Sequence, residues 1–287
     1  MTTGTHTDTI AAYLRRLGIA DPGAPSVEGL FALQRAHLER ISYDNVDVQL
    51  GRPPAIDPEL SARRFAAGRG GYCFHLNGGF ALLLETLGYE VTRHVGGVCA
   101  EADSREVGGG HLVLTVRVGG TAYWVEAGLG DGPYEPLPLR EGAYEQSGFG
   151  YAMERLEPLE GEGPGWSFLT PAGHMPRVNF RDAPATTADF EAMHTWLSTS
   201  EDSPFVRTFA LLRRDAEGAD ILRGRVLSRV EPAKGTTERV LDGPEELFEV
   251  IGTLFGRALD DLTPADRAAL WARVNRAHTA WLATHRR

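Results

Sequence analysis

Cysteine is scarce in this chain: Cys73 and Cys99 are the two present among 287 residues. A disulfide-scaffolded secreted domain is thereby excluded, and a reducing cytoplasm, where thiols persist, fits best. Long apolar runs are also missing; no stretch approaches the ~20 residues that span a bilayer. The N-terminus, Met1 to Asp8, is polar and lacks the basic-then-apolar profile of a secretory signal. Positive charge is in short supply as well. Against 39 Asp and Glu stand 29 Lys and Arg, a formal charge of −10, which argues against nucleic acid or an anionic membrane as partner. Neither internal repeats nor low-complexity tracts occur, and no metal is expected.

What is present is an ordinary globular mixture, 42% hydrophobic and 24% charged, long enough to bury a real core. The first ~88 residues read as helical. Residues 8–18 form an amphipathic stretch ending at Gly18. Ser26 is placed to cap a helix with Leu30, Leu33, Ala36, His37 and Ile41 on one face, and a third helix is expected from Pro58 to Ala67. Tyr43 to Val48 breaks this pattern. The period then changes to β-rich runs, Tyr89 to Val98, His111 to Val118 and Thr121 to Ala127, the last two joined by Gly119-Gly120. Short strands at Pro136 to Leu139, Phe149 to Leu159 and Trp166 to Leu169 suggest a small antiparallel barrel or strongly curled sheet. A mixed block follows: a helix at Thr187 to Leu197, a break at Ser203-Pro204-Phe205, and strand candidates at Phe205 to Arg213 and Ile221 to Val230. Helices at Gly243 to Phe255 and Pro264 to His285 end it.

The organising stretch is Arg69-Gly70-Gly71-Tyr72-Cys73-Phe74-His75-Leu76-Asn77. Apolar residues at 80, 83, 84 and 87 have helical spacing and Gly88 is a natural stop, so Cys73 falls in the first turn of a helix. Unpaired N–H groups and the helix dipole there favour a thiolate, hence a nucleophile. A nucleophilic cysteine needs a base, and the base an orienting acceptor. His111 begins a strand behind Gly108-Gly109-Gly110, and Glu126 interrupts an apolar strand on the far side of Gly119-Gly120. A hairpin centred on that turn places 111 opposite 128 and 126 opposite 113, a diagonal step on one face. Taken singly, each residue has a plainer reading: a small buried thiol, a histidine at a strand start, a solvated carboxylate.

Arg-Gly-Gly-Tyr-Cys-Phe, a histidine behind glycines some forty residues on, and a carboxylate before Gly128-Leu129-Gly130 resemble the arylamine N-acetyltransferases. So do His37 to Asp47, similar to that family's His-x-x-x-Ile-Pro-Phe-Glu-Asn-Leu-Asp segment, and Ser198 to Phe205, similar to its Ser-Thr-x-x-x-Ser-Pro-Phe stretch. The resemblance covers about residues 10 to 230. It implies an α+β fold with a cysteine-protease-like Cys-His-acid arrangement: a helical domain over 1–88 carrying the nucleophile, a β-barrel domain over 89–200 carrying histidine and acid, and an α/β lid over 201–287. It also implies a ping-pong reaction in which Cys73 takes an acetyl or other short acyl group from acetyl-CoA or another acyl-CoA. The group then passes to the nitrogen of an aromatic amine, hydrazine or hydroxylamine. In that scheme His111 is the base, Glu126 orients it, Phe205 lines the CoA or acceptor pocket, and Tyr43, Tyr72 and Gly130 meet substrate.

Two residues depart from the family pattern. Glu126 stands where aspartate is usual, one methylene longer. His75 stands where glutamate is common after Cys-Phe, which leaves an arginine, Arg69, in need of another acceptor. Two positions along a helix from Cys73, His75 points away from it, so a structural role is expected. Asp131 ranks below Glu126 as the acid, and Cys99 reads as structural. Arg213-Arg214 and the arginines from Arg223 to Arg229 read as a solvated face, with CoA phosphates as the alternative. The competing activities are an amide synthase that couples or cyclises an acyl chain from a carrier protein onto an amine, a thiol hydrolase, and a silent ligand-binding descendant.

Overall fold

Ser26 opens the second helix as its place before an apolar stripe implies, its hydroxyl accepting from Gly29 N at 3.0 Å. In the computed structural model, which describes residues 3–101, 103–159, 161–170 and 177–285, this helix, α2 (Val27–Arg40), follows α1 (Thr3–Leu17). After β1 (Tyr43–Asp44) and a short α3 (Val46–Gln49) come α4 (Pro58–Ala66), capped by Asp57, and α5 (Cys73–Thr86). Residues 73–81 of α5 are all buried. A helix covered on every side is the centre of its block. Around it Tyr13, Leu30, Phe65, Phe74 and Phe80 form one apolar core that continues onto the sheet through Leu112, Leu114 and Val116. Each such side chain contributes about 2–3 kcal/mol by leaving water.

Eight antiparallel strands make the second body: β2 (Glu90–Cys99), β3 (His111–Val118), β4 (Thr121–Val125), β5 (Leu137–Pro138), β6 (Gly142–Gln146), β7 (Phe149–Leu156), β8 (Gly165–Leu169) and β9 (Arg177–Pro184). Their order is β5-β4-β3-β2-β9-β8-β7-β6. In a flat sheet β4 and β8 would lie about 19 Å apart, four strand spacings. Yet the rings of Trp124 and Phe168 are 4.1 Å apart between centroids, so the sheet is rolled, as expected of a barrel-like block. The β3–β4 register is the one the turn dictates, with Val118 opposite Thr121 and Leu114 opposite Val125.

A 3₁₀ turn (Thr187–Phe190), α6 (Glu191–Thr199) and a short α7 (Pro204–Arg207) lead to β10 (Ala210–Arg214), β11 (Ala219–Arg223), β12 (Val226–Glu231) and β13 (Gly235–Val240), then α8 (Pro244–Thr253) and α9 (Pro264–His285). These four strands and β1 form a second sheet, ordered β1-β10-β11-β12-β13. Residues 43 and 44 thus leave the helical block to edge a sheet built 170 residues later, pairing with Leu212 and Leu211. Asn45 fixes the crossing: its amide donates to Phe205 O and Thr208 O and accepts from Ala210 N.

Several strands differ from the sequence reading. The run from 221 to 230 is two strands broken at Gly224, whose φ is +58°. Ser203-Pro204-Phe205 starts α7 rather than merely breaking the chain, with Ser203 Oγ accepting from Phe205 N. β6 and β13 carry no clean alternation, and β9, whose residues 177–181 alternate, is buried on both faces there. In β9 the polar Asn179 is fully buried, donating to Ser104 O and Glu106 O at 2.9 Å each.

Two buried histidines make the fold acid-sensitive. His37 sits among Phe65, Phe80 and Tyr13, with Tyr13 Oη 2.5 Å from its Nδ1, and burial holds its pKa down at about 3. His75 is held down at about 3, again chiefly by burial, its Nε2 donating to Pro54 O at 3.2 Å. A folded-state pKa below the unfolded ~6.5 means stability is fully present above pH ~6.5 and lost as pH falls toward 3. Urea unfolding at pH 7, 6 and 5 should therefore show stability falling by about 1 kcal/mol per pH unit for each imidazole. His37→Gln should remove one such share of the slope; an unchanged slope refutes the assignment.

Candidate active site

The glycine pair before Cys73 is explained by how closely its backbone passes β1. A Cβ on Gly70 would lie 2.0 Å from Ser42 O, while Asp44 N donates to Gly71 O and Gly70 N donates to Asp44 Oδ2. Only glycine permits that approach. It presents Cys73 as the first residue of α5, where backbone N–H groups lack intrahelical partners. From the other side Gly128 closes in, since a Cβ there would lie 2.8 Å from Cys73 Cα.

His111 opens β3, and its ring is 1% exposed. Its Nε2 lies 2.8 Å from Glu126 Oε2, and Cys73 lies within hydrogen-bonding reach of the same ring. Because Nε2 is committed to Glu126, the nitrogen left for the sulfur is Nδ1. The thiol also meets Gly110 O at 3.5 Å. Burial pulls the pKa of His111 down, but the Glu126 charge and the hydrogen bond and charge of Cys73 outweigh it and raise it. An imidazolium is the favoured state between an anionic carboxylate and a thiolate.

Glu126 lies just past the end of β4 and is itself held by two side chains given no role in the sequence reading. Asn77, one turn along α5 from Cys73, donates from Nδ2 to Glu126 Oε1 at 3.0 Å and to Leu112 O at 2.7 Å, and accepts from Ala127 N at 2.9 Å. Gln34 of α2 accepts from Glu126 N at 3.1 Å and donates to Pro133 O at 3.1 Å. Gly128 N also donates to Glu126 Oε1, at 2.5 Å. One carboxylate oxygen is thereby saturated and the other reserved for His111. A signal was available for both residues: each is a polar amide on an otherwise apolar helical stripe, where burial without a partner is costly.

The other departures settle into place. Arg69, lacking a glutamate at 75, pairs with Asp261 at 3.4 Å. His75 faces away from Cys73 and packs edge-on against Tyr72, centroids 4.6 Å apart. Asp131 acts electrostatically on Tyr43 and Tyr151, while the ring of His111 is taken by Glu126. Cys99 is free, as is Cys73, and sits by Glu106 O and Asn179.

A cavity of about 440 Å³ opens over the sulfur, lined by Tyr43, Cys73, His111, Gly128, Phe205 and Leu212 among others. Tyr43 and Phe205 therefore stand on its wall, their rings 6.3 Å apart and edge-on. Tyr72 and Gly130 are placed behind it. Tyr72 is 1% exposed, its ring against Phe205 at 4.8 Å and its hydroxyl bonded to His194 Nδ1; Gly130 backs onto Leu212 and Tyr43. A thiol, an imidazole and a carboxylate in line, under an apolar cavity of ligand size, are the side chains that acyl transfer through a thioester would need. Among the described residues no helix is long and apolar enough to cross a membrane, and no group of acidic, histidine and cysteine side chains could hold a metal.

Comparison with known proteins agrees in outline. A family model described as N-acetyltransferase matches residues 26–263. The arylamine N-acetyltransferase of Mycolicibacterium smegmatis is 32% identical over 282 residues, 92% of this chain and 98% of its own. The crystal structure of the Nocardia farcinica arylamine N-acetyltransferase superposes with a TM-score of 0.82 at 31% identity, covering 93% of this chain and 95% of that one. The Mycobacterium marinum arylamine N-acetyltransferase, solved in complex with CoA, superposes with a TM-score of 0.81 at 26% identity, over 93% and 99% respectively.

Proposed function

The chain belongs to the arylamine N-acetyltransferase family, and we propose that Cys73, His111 and Glu126 carry its acyl transfer. The donor is acetyl-CoA and the acceptor an aromatic amine, hydrazine or hydroxylamine. The observation that carries this reading is the alignment of Glu126 Oε2, the His111 ring and Cys73 at the floor of the 440 Å³ cavity.

In the first half-reaction the Cys73 thiolate attacks the thioester carbonyl, and the oxyanion develops beside the Cys73 N–H at the positive end of α5. The C–S bond to CoA then breaks, His111 delivers its proton to the departing sulfur, and an acetyl group remains on Cys73. In the second, the amine nitrogen attacks that thioester while the now neutral His111 takes an N–H proton. The C–S bond to Cys73 breaks and the imidazolium–thiolate pair is restored. Glu126 keeps the proton-bearing Nε2 turned away from the sulfur throughout. Tyr43 and Phe205 supply aromatic walls suited to an aryl acceptor. The site of action is the cytoplasm, where both thiols stay reduced.

Incubation with acetyl-CoA should add the mass of one acetyl group, mapped to Cys73, and release one CoA. Adding an arylhydrazine should discharge it with multiple turnover. A chain that ignores acetyl-CoA but is loaded by a carrier-bound acyl chain is an amide synthase instead, and continued CoA release beyond one per chain without acceptor marks a hydrolase.

A further inference from the structure

The loop that delivers Cys73 is held by a segment from late in the chain. The connector between α8 and α9 runs beside residues 68–71: Ala258 N donates to Gly68 O at 2.7 Å, and a Cβ on Gly68 would lie 3.1 Å from Ala258 Cβ. From this connector Arg257 sends a fully buried side chain inward. Its two terminal nitrogens donate to the two carboxylate oxygens of Asp261 at 2.9 and 3.0 Å, and the same Asp261 Oδ2 lies 3.4 Å from Arg69 Nε. On its other side, Arg257 Nε is 3.9 Å from Asp44 Oδ2, and a terminal nitrogen is 3.9 Å from Asp47 Oδ2. Asp44 is the pivot. Its Oδ2 accepts from Gly70 N at 3.1 Å and its Oδ1 from Val46 N at 3.2 Å, while its own N–H donates to Gly71 O at 2.9 Å. The groups that act on this carboxylate are Arg257, Asp47 of α3 and Arg64 of α4. Asp47 has the wrong sign, and Arg64 is bonded to Asp47. Burial pushes the pKa of Asp44 up, and Arg257 is the strongest influence against that rise.

Resting on the acyl-transfer reading above, we infer that Arg257 is a positioning residue for the nucleophile. Through Asp44 and Asp261 it fixes Arg69, Gly70 and Gly71, so that Cys73 meets the His111 ring from the first turn of α5. It touches neither the sulfur nor the cavity above it. Removing this cation alone would strand a buried carboxylate, which then takes a proton instead. A proton on Asp44 Oδ2 puts a donor where Gly70 N needs an acceptor. The glycine loop would then lose that hold, and Cys73 its fixed place against the base.

Two rates test this: single-turnover acylation of Cys73 by acetyl-CoA, and alkylation of the same thiol by iodoacetamide, mapped by peptide mass. The second reads the thiolate that His111 stabilises and needs no acyl donor. Arg257→Met should slow acylation about thirtyfold, the scale of a small misplacement, with the half-saturating acetyl-CoA concentration changed less than about twofold. Alkylation should slow about tenfold, and the acid limb of both rates should move to higher pH, because Asp44 without its cation keeps a proton further toward neutrality. Arg257→Lys restores a charge beside Asp44, so acylation within about fivefold of the unaltered chain and an acid limb in its original place are expected. Asp261→Asn, which alters a residue only partly buried, should fold and slow acylation about fivefold. Leu270→Ala, in the apolar core of α8 and α9, controls for stability: the unfolding midpoint should fall while acylation stays within about twofold. Native rates in Arg257→Met overturn the inference, as does a Leu270→Ala variant equally slow for an equal fall in midpoint. Should Arg257→Met not fold, a native acylation rate in Asp261→Asn overturns it. Failure of any donor to load Cys73 in the unaltered chain would instead sink the acyltransferase reading, and the alkylation arm still decides whether Arg257 places the thiol.

Discussion

Cys73→Ala should abolish the acetyl adduct and cut acetyl-CoA-dependent turnover by at least about a thousandfold, since no neighbouring atom can take over the nucleophile's part. The sulfur lies between Gly110 O and the His111 ring, at the one point where the cavity floor, the base and the start of α5 coincide. Cys99, the other thiol, is held by Glu106 O and Asn179 in a different part of the molecule and offers no bypass. The fold should survive, because alanine removes only one sulfur from a site that is 3% exposed; circular dichroism and the unfolding midpoint check this. His111→Ala should retain the thiol and slow adduct formation by ~10²–10⁴-fold, the usual worth of a positioned base. Rapid-quench mass spectrometry with acetyl-CoA measures both. An adduct that forms on His111→Ala at the native rate removes the base from the mechanism, and an adduct on Cys73→Ala removes the nucleophile.

How much of this was legible beforehand depended on where the information sits along the chain. The Gly119-Gly120 turn, with φ of +59° and +78°, sets the β3–β4 register locally. The convergence of His111 and Glu126 therefore followed from counting residues. The same holds for α5, whose apolar spacing and flanking glycines mark its first turn at Cys73. Strand β9 went unread although Arg177, Asn179 and Arg181 alternate with Val178 and Phe180 at the period of a strand; the run is short, and both of its faces are buried because Asn179 reaches two carbonyls of the 100–110 segment. β13, exposed along its length, had no buried face to report. The cavity was out of reach of local pattern, and the family resemblance alone named Tyr43 and Phe205 for it; they meet Leu212 and Arg223 because Asn45 ties the segment after β1 to residues 205–210. Gln34 and Asn77 are the instructive omissions. Each lay in plain view as a polar residue on an apolar face, and each turns out to hold Glu126.

That hold makes Glu126→Gln the sharpest probe of the triad. Oε1 accepts two N–H bonds, from Asn77 and Gly128, so a glutamine must keep its carbonyl oxygen there; turning the NH₂ toward two donors leaves all three unsatisfied. The NH₂ then faces His111 Nε2 and requires that nitrogen to accept. The ring's proton moves to Nδ1, toward the sulfur, which is the tautomer unable to take a proton from it. A loss of about 10³–10⁴ in kcat is expected for a wrong tautomer in an otherwise intact site. With the carboxylate charge gone, burial dominates at His111 and its pKa falls, so the alkaline limb of kcat/KM should move to lower pH in whatever activity remains. Glu126→Asp should behave differently. It keeps the charge and the tautomer and retracts the carboxylate by about 1.5 Å, a gap that shifts of the side chain and of the 126–132 loop can close, so a loss of no more than about tenfold is expected. Equal defects in the Gln and Asp variants would mean that the acid matters for its reach rather than its charge, and the imidazolium–thiolate pair would then need another source of stabilisation.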